Sequence, residues 1–213
     1  MTLDPTTAQH VARVLIEVEA VKLNLEQPFQ WASGWLSPIY CDNRRTLSYP
    51  ALRTYIKLAL AKATKELYPE AEVIAGVATG AISWGMLVAD ALGLPFIYVR
   101  PQPKDHGLKR QVEGYLPPKA KVAVIEDLIS TGGSSIQAIA ALRQEGANVL
   151  GLLAVYTHGF EVAEQLFKEN NCPMATLSCY QAVIKEAIEQ GVISHSEEAS
   201  LTQWREAPEK WGR

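Results

Sequence analysis

Apolar positions in the first third of the chain fall at helical spacing. Val11, Leu15, Val18 and Val21 share one side of a segment that Thr6 or Thr7 can cap. Ser48 with Pro50 opens a second helix bearing Leu52, Ile56, Leu60 and Leu67. The stretch between them reads as irregular or extended. From residue 73 the pattern becomes regular: VIAGVA, a helix over 81–92, PFIYVR, a long polar loop, KVAVIED, a helix over 133–145, then NVLGLLAVY. Short apolar runs alternating with helices predict an α/β fold, a mostly parallel sheet covered on both faces. Ligands bind such sheets at the carboxyl edge. The last forty residues carry a strand candidate, PMATLSC, and a helix over about 180–190 that Gly191 can terminate.

No internal repeat or low-complexity tract interrupts the chain. The two ends read as one accessory layer over the central sheet, giving an amino-terminal segment 1–45, a core 46–170 and a carboxyl-terminal segment 171–213. At 213 residues, 48% hydrophobic and 20% charged, one well-buried domain with a small appendage is the expected size. The formal charge of -3 supplies no general basic field for nucleic acid. Cys41, Cys172 and Cys179 follow neither a CxxC nor a Cys/His metal spacing, which fits reduced thiols in a cytoplasmic protein. No segment reaches the ~18 uninterrupted apolar residues of a membrane span, and the amino terminus lacks a leader-like pattern.

VAVIEDLISTGGS, residues 122–134, concentrates the chemistry. It joins a buried strand to two acids, Glu126 and Asp127, and then to a turn of Ser130, Thr131, Gly132, Gly133 and Ser134 that starts a helix. Glycine-exposed N–H groups, hydroxyls and a helix amino terminus suit a phosphate monoester. The acids suit sugar hydroxyls or a magnesium ion. A ligand with both a phosphate and a ribose satisfies each half. An acidic strand end followed by an ordinary helix cap fits this stretch alone as well. The absence of a Walker lysine and of GxGxxG after a strand counts against triphosphate and dinucleotide readings.

This stretch resembles the phosphoribosyl diphosphate signature of the type I phosphoribosyltransferases. Three further segments point to the orotate phosphoribosyltransferase family within them: FQWASGWLSPIYCDNR (29–44) is similar to an SG-x-x-SP-x-Y-x-D-x-R block, GVATGAI (76–82) to a diphosphate loop, and YVRPQPKDHG (98–107) to the start of a mobile catalytic loop. The resemblance spans nearly the whole chain and implies a type I phosphoribosyltransferase fold with a hood built from the two ends. It implies transfer of the phosphoribosyl group from 5-phosphoribosyl 1-diphosphate to orotate, in pyrimidine biosynthesis.

The resemblance also implies residue roles. Glu126 and Asp127 take the ribose hydroxyls, and Leu128, Ile129, Ser130, Thr131, Gly132, Gly133 and Ser134 cradle the 5-phosphate. Ser130, the backbone around Tyr40 and Cys41, and His158 meet orotate. Ala78, Thr79 and Gly80 hold the diphosphate, with a non-proline cis bond between Ala78 and Thr79. Arg100, Lys104 and His106 face the departing diphosphate, and Lys104, His106 and Asp127 are the implied catalytic groups. Mg²⁺ is the implied cofactor, held mainly by the substrate and not by a protein metal cluster. A homodimer is implied in which the loop reaches the neighbouring site, and Trp and Tyr residues of 31–49 are candidates for its interface. No nucleic-acid or membrane partner and no fused decarboxylase domain are expected.

The loop also has an independent reading. About twenty residues between Arg100 and Lys119 lack periodicity, longer than the roughly 12–15 residues at which loops in compact domains become uncommon. Arg100, Lys104, His106, Lys109 and Arg110 give it positive charge, so its natural client is an anion. A basic loop on its own is equally a solvated surface.

The sequence departs from many relatives at four places: Ala32, Gly80, Pro101 and His158 stand where basic residues occur in some of them. Two other readings share parts of the pattern. One is a phosphoribosyltransferase for a purine or other base; the other is a non-catalytic sensor that uses the same cradle.

Overall fold

The computed structural model describes residues 2–31, 34–102 and 111–211. Helix α1 (Pro5–Glu17) is capped by Asp4, not by Thr6 or Thr7: its carboxylate accepts the Thr7 N–H at 2.7 Å and the Thr6 N–H at 3.4 Å. Pro5 sets the first helical position, so the cap falls one residue before it. The helix stops at Glu17, and Val21 starts a strand, β1 (Val21–Leu23). Short strands β2 (Phe29–Gln30), β3 (Leu36–Ser37) and β4 (Ile39–Cys41) follow, with β1 pairing β4 and β2 pairing β3, both antiparallel. A 3-10 turn over Asn43–Ser48 leads into α2 (Pro50–Leu67), where Tyr49, not Ser48, is the capping position. Ile56 and Leu60 are buried in its inner face, whereas Leu67 is exposed.

The regular part comprises β5 (Val73–Val77), α3 (Ile82–Leu92), β6 (Phe96–Val99), β7 (Val112–Glu113), β8 (Lys121–Ile129), α4 (Gly133–Gln144), β9 (Asn148–Thr157), α5 (Glu161–Glu169), β10 (Met174–Cys179), α6 (Tyr180–Glu189) and α7 (Glu198–Glu206). The expected polar loop after Arg100 thus contains a short strand, β7, which folds back antiparallel on β6. Six strands form one sheet in the order β10-β9-β8-β5-β6-β7, parallel apart from β7. The strand expected over PMATLSC is β10, an edge of this sheet, so residue 170 lies between two paired strands. No described helix is long and apolar enough to cross a membrane.

Each sheet face has its own core. Residues of α1, α2, α3 and α6 pack with Ile74, Ala123, Ile125 and Leu153 on one side; α4 and α5 pack with Val73, Val122, Val124 and Leu152 on the other. This explains the uninterrupted apolar runs, since both faces of each inner strand are covered. The chain ends meet as well. Arg13 Nε donates to Glu186 Oε1 at 2.6 Å, and Trp204 Nε1 donates to the Leu36 carbonyl at 3.2 Å.

Close backbone approach fixes α3 against β5. A β-carbon on Gly76 would come within 2.6 Å of the Ala81 carbonyl oxygen, and one on Gly85 within 3.0 Å of Gly76 Cα. Gly76→Ala therefore overpacks the turn and is expected to cost about 1–3 kcal/mol of stability. Gly133→Ala, with open space around it, should change stability much less. Urea unfolding of both variants checks the contrast.

Candidate active site

The strand order sets the location. From β5 the chain moves outward through α3 to β6; from β8 it moves the opposite way through β9 to β10. The switch therefore lies between the carboxyl ends of β5 and β8, where diverging loops leave a crevice. The β5–β8 ladder ends at Gly76↔Ile125, while β8 stays paired with β9 as far as Ile129↔Thr157. Glu126 to Ile129 consequently run past the end of β5. Ala78, Thr79 and Gly80 turn away toward α3, with the Ala78–Thr79 bond cis as the resemblance implies.

A polar cavity of about 430 Å³ occupies this crevice. Its walls combine Ala78, Thr79 and Gly80 with Glu126, Asp127 and Leu128, the Ser130–Gly132 turn, Ser134 and Ser135, and Asp42 with Arg44. Gly132 adopts φ +82, a left-handed conformation that glycine takes without penalty, and starts α4. No side chain caps α4, so its first-turn N–H groups are left for an anion at the cavity wall. Thr131 and Ser134 are exposed there. Ile129 differs from its neighbours: its side chain is buried in the core, and its carbonyl accepts the His158 N–H at 3.1 Å.

The two acids are not equivalent. Glu126 is buried; its Oε1 accepts the Asp127 N–H and its Oε2 the Ser135 hydroxyl, each at 3.0 Å. Burial, reinforced by the charge of Asp127, pushes its carboxyl well above the usual range. Asp127 is also raised by burial, but hydrogen bonding from Glu126 and from the Leu128 backbone offsets part of this. The pair therefore retains a proton more readily than two free carboxyls, with Asp127 the more accessible anion. A β-carbon on Gly80 would overlap the Asp127 carboxylate. Position 80 thus has no room for a side chain while Asp127 keeps this place.

A second cavity, about 550 Å³, adjoins the first. Gln30, Trp31, Trp35, Tyr40 and His158 wall it, and Cys41, Leu128, Ser130 and Thr131 line both cavities. Trp31 and Trp35, interface candidates in the sequence, are each partly exposed and line this cavity. Trp31 donates its indole N–H to the Ile39 carbonyl and packs edge-on to Trp204, with ring centroids 5.6 Å apart. Tyr40 and Tyr49 are the exposed aromatics of that region.

His158 is 1% exposed, within 6 Å of the rings of Trp31, Tyr156, Phe160 and Trp204. Burial depresses its pKa to about 3, so the ring is neutral at physiological pH. It offers a hydrogen bond but not the positive charge of an arginine. Cys41 is half-buried, and desolvation of its thiol, with nearby Asp127 and Asp42, raises it well above the ordinary thiol value.

Arg100 lies just after β6, where its guanidinium sits 3.7 Å from Glu113 Oε1. Lys104 and His106 lie outside the described residues, as does Ala32. Three contributions were not singled out in the sequence. Ser135 holds Glu126, Arg44 grips Asp42 through Nε at 2.6 Å and Nη2 at 3.0 Å, and Asn43 reaches the Asp127 carbonyl at 2.6 Å. Arg44 and Asp42, which fall in the 29–44 block, stand on the cavity wall. Among the described residues no group of three or more His, Cys, Asp or Glu side chains is arranged to hold a metal.

Comparison with known proteins converges on one family. Residues 50–188 match the phosphoribosyl transferase domain. Orotate phosphoribosyltransferase of Porphyromonas gingivalis is 57% identical over 207 residues, 97% of this chain and 99% of that protein. The enzyme of the same name from Bacteroides fragilis is 52% identical, covering 94% of each chain. The crystal structure of orotate phosphoribosyltransferase from Aeropyrum pernix aligns with a TM-score of 0.74 at 30% identity, over 86% of this chain and 99% of that one.

Two of the buried titratable groups, Glu126 and His158, predict opposite pH dependences. Glu126, raised on folding, stabilises below about pH 4.5, and that contribution is lost as pH rises through its folded value. His158, depressed from 6.5 to about 3, contributes stability that is complete above pH 6.5 and lost as pH falls through this window. Glu126→Gln should raise the urea midpoint at pH 8 and not at pH 4. His158→Gln should flatten the decline between pH 6.5 and 4. Urea midpoints across pH 4–8 measure both slopes.

Proposed function

The chain belongs to the orotate phosphoribosyltransferase family, and on that footing we propose that it transfers the phosphoribosyl group of 5-phospho-α-D-ribose 1-diphosphate to orotate. The products are orotidine 5′-phosphate and diphosphate, within de novo pyrimidine biosynthesis. The carrying observation is the junction of the two cavities: a polar, acid-bearing, phosphate-suited space and an aromatic-walled one share Cys41, Leu128, Ser130 and Thr131. A sugar in the first and a planar ring in the second would meet at that shared wall.

In this reading the Thr131–Ser134 turn and the start of α4 receive the 5-phosphate. Asp127 takes the ribose hydroxyls, with Glu126 behind it. Backbone at 78–80 receives the diphosphate. Orotate enters beside Ser130, Tyr40, Cys41 and His158. Apart from the sheet strand β10 and the sheet-covering helices α1 and α6, the segments 1–45 and 171–213 act as a hood, an arrangement supported by the Trp204–Leu36 contact.

The C1–O bond to diphosphate breaks as C1 bonds to the orotate ring nitrogen, which attacks once its proton has passed to solvent. No protein nucleophile is needed, so rate enhancement rests on positioning and on meeting charge as it develops. Arg100, Lys104 and His106 are assigned to the departing diphosphate. An accessible carboxylate that no arginine grips, beside a phosphate-suited cavity, fits Mg²⁺, which keeps most of its shell from water and substrate oxygens. Asp127 would be its protein contact, and the ion would neutralise diphosphate charge. His158 would meet orotate as a neutral hydrogen-bonding partner. A cytoplasmic location belongs to the same reading, supported by the unpaired Cys41, Cys172 and Cys179.

The enzyme is expected to release diphosphate from the phosphoribosyl donor with orotate, and not with hypoxanthine, xanthine, uracil or no base. Release with a purine alone would move the assignment to another base. Tight donor binding without turnover on any base would mark a sensor instead.

We read the assembly as a homodimer whose Lys104-bearing loop serves the partner's site. Lys104→Ala alone should lower kcat by about 10²–10³-fold. Mixed with Asp127→Asn chains, it should regain part of the lost activity. Recovery no better than either parent would exclude shared sites.

A further inference from the structure

Asn43 is 1% exposed and 84 residues from Asp127 in sequence, yet its side chain joins the two halves of the site. Its Nδ2 donates to the Asp127 carbonyl at 2.6 Å, and its Oδ1 accepts the Cys41 thiol at 3.2 Å. The backbone of Asn43 is fixed in turn: Thr46 Oγ1 donates to its carbonyl at 2.5 Å, within the 3-10 turn that Asp42 caps.

The need for such a donor follows from the topology. The β5–β8 ladder ends at Gly76↔Ile125, and β5 turns away after Val77. The Asp127 carbonyl receives the Asn43 amide where a strand neighbour has run out. A part-buried carbonyl left without its donor would favour rotation of its peptide, and that rotation would carry the Asp127 carboxylate off Gly80. The other arm reaches Cys41, which lines both cavities.

We propose that Asn43 is a positioning residue that ties the base-side wall at Cys41 to the backbone of Asp127 and so aims the Asp127 carboxylate at the sugar. The proposal rests on the assignment of Asp127 to the ribose. It adds a residue that touches neither substrate and whose effect passes wholly through another side chain. The acidic pair is thereby placed from two directions: Ser135 and the Asp127 N–H hold Glu126 from within the strand and α4, and Asn43 holds Asp127 from the amino-terminal segment.

A double-mutant cycle tests this. Affinity for 5-phosphoribosyl 1-diphosphate with Mg²⁺ is titrated in the full-length wild type, Asn43→Ala, Asp127→Asn and the double variant, with inorganic phosphate as a second probe that carries no ribose for Asp127 to hold. Asn43→Ala should weaken the donor about tenfold and raise its KM correspondingly, while phosphate affinity and the KM for orotate stay within about threefold. The double variant should bind the donor no more weakly than Asp127→Asn alone. Additive losses, unchanged donor affinity in Asn43→Ala, or an equal fall in phosphate affinity would each overturn the role. If Asp127→Asn itself binds the donor normally, the ribose assignment falls and this inference falls with it. Should the alanine variant not fold, Asn43→Ser takes its place in the cycle, since it keeps a small polar group but is one bond shorter and loses the reach to Asp127.

Discussion

Everything at this site depends on two adjacent carboxyls at the end of a central strand that has lost one of its neighbours. β8 is paired on both sides through Ile125, then on one side only, and Glu126 and Asp127 stand at that change. In a fully paired strand those acids would sit in the sheet interior, where charge is costly and no ligand could approach. One residue further into solvent they would be ordinary surface acids. The early departure of β5 through Ala78, Thr79 and Gly80 creates the intermediate condition, in which a carboxylate is largely stripped of water but still reachable. The small residues on that side follow from the same constraint, because the Asp127 carboxylate already fills the space a side chain at position 80 would need.

Much of this was legible before any coordinates. The parallel sheet announces itself through apolar runs such as VAVI and VIAGV, which only strands covered on both faces require. The acids and the Ser/Thr/Gly turn of 126–134 follow from chemistry carried on contiguous residues. Contributions that depend on distant partners were hidden. Asp4 displaced Thr6 and Thr7 as a cap because Pro5 fixed the start of the helix. Trp31 looked like a surface aromatic because nothing near it in sequence reveals Trp204 or His158. Asn43, in the midst of a recognised block, gives no local sign of its bond to a carbonyl 84 positions away.

The neutral state of His158 likewise has a physical and not a sequence origin. A histidine after a buried strand can be charged or not, and the enclosing rings of Trp31, Phe160 and Trp204 decide the matter. This distinguishes the second cavity from the first. One is defined by polar groups around an anion-ready turn, the other by ring faces and hydrogen-bonding groups suited to a flat heterocycle. Specificity for a base is then a matter of shape and hydrogen bonding more than of a formal positive counter-ion from position 158.

The bond between Trp204 and the Leu36 carbonyl ties the wall of the aromatic cavity to one of the final helices. A ribosome delivers these parts in order: the strands flanking the cavity first, the acidic pair some ninety residues later, and the indole that braces the wall later still. The growing chain can thus assemble its anion cradle well before it can offer a finished berth for a heterocycle.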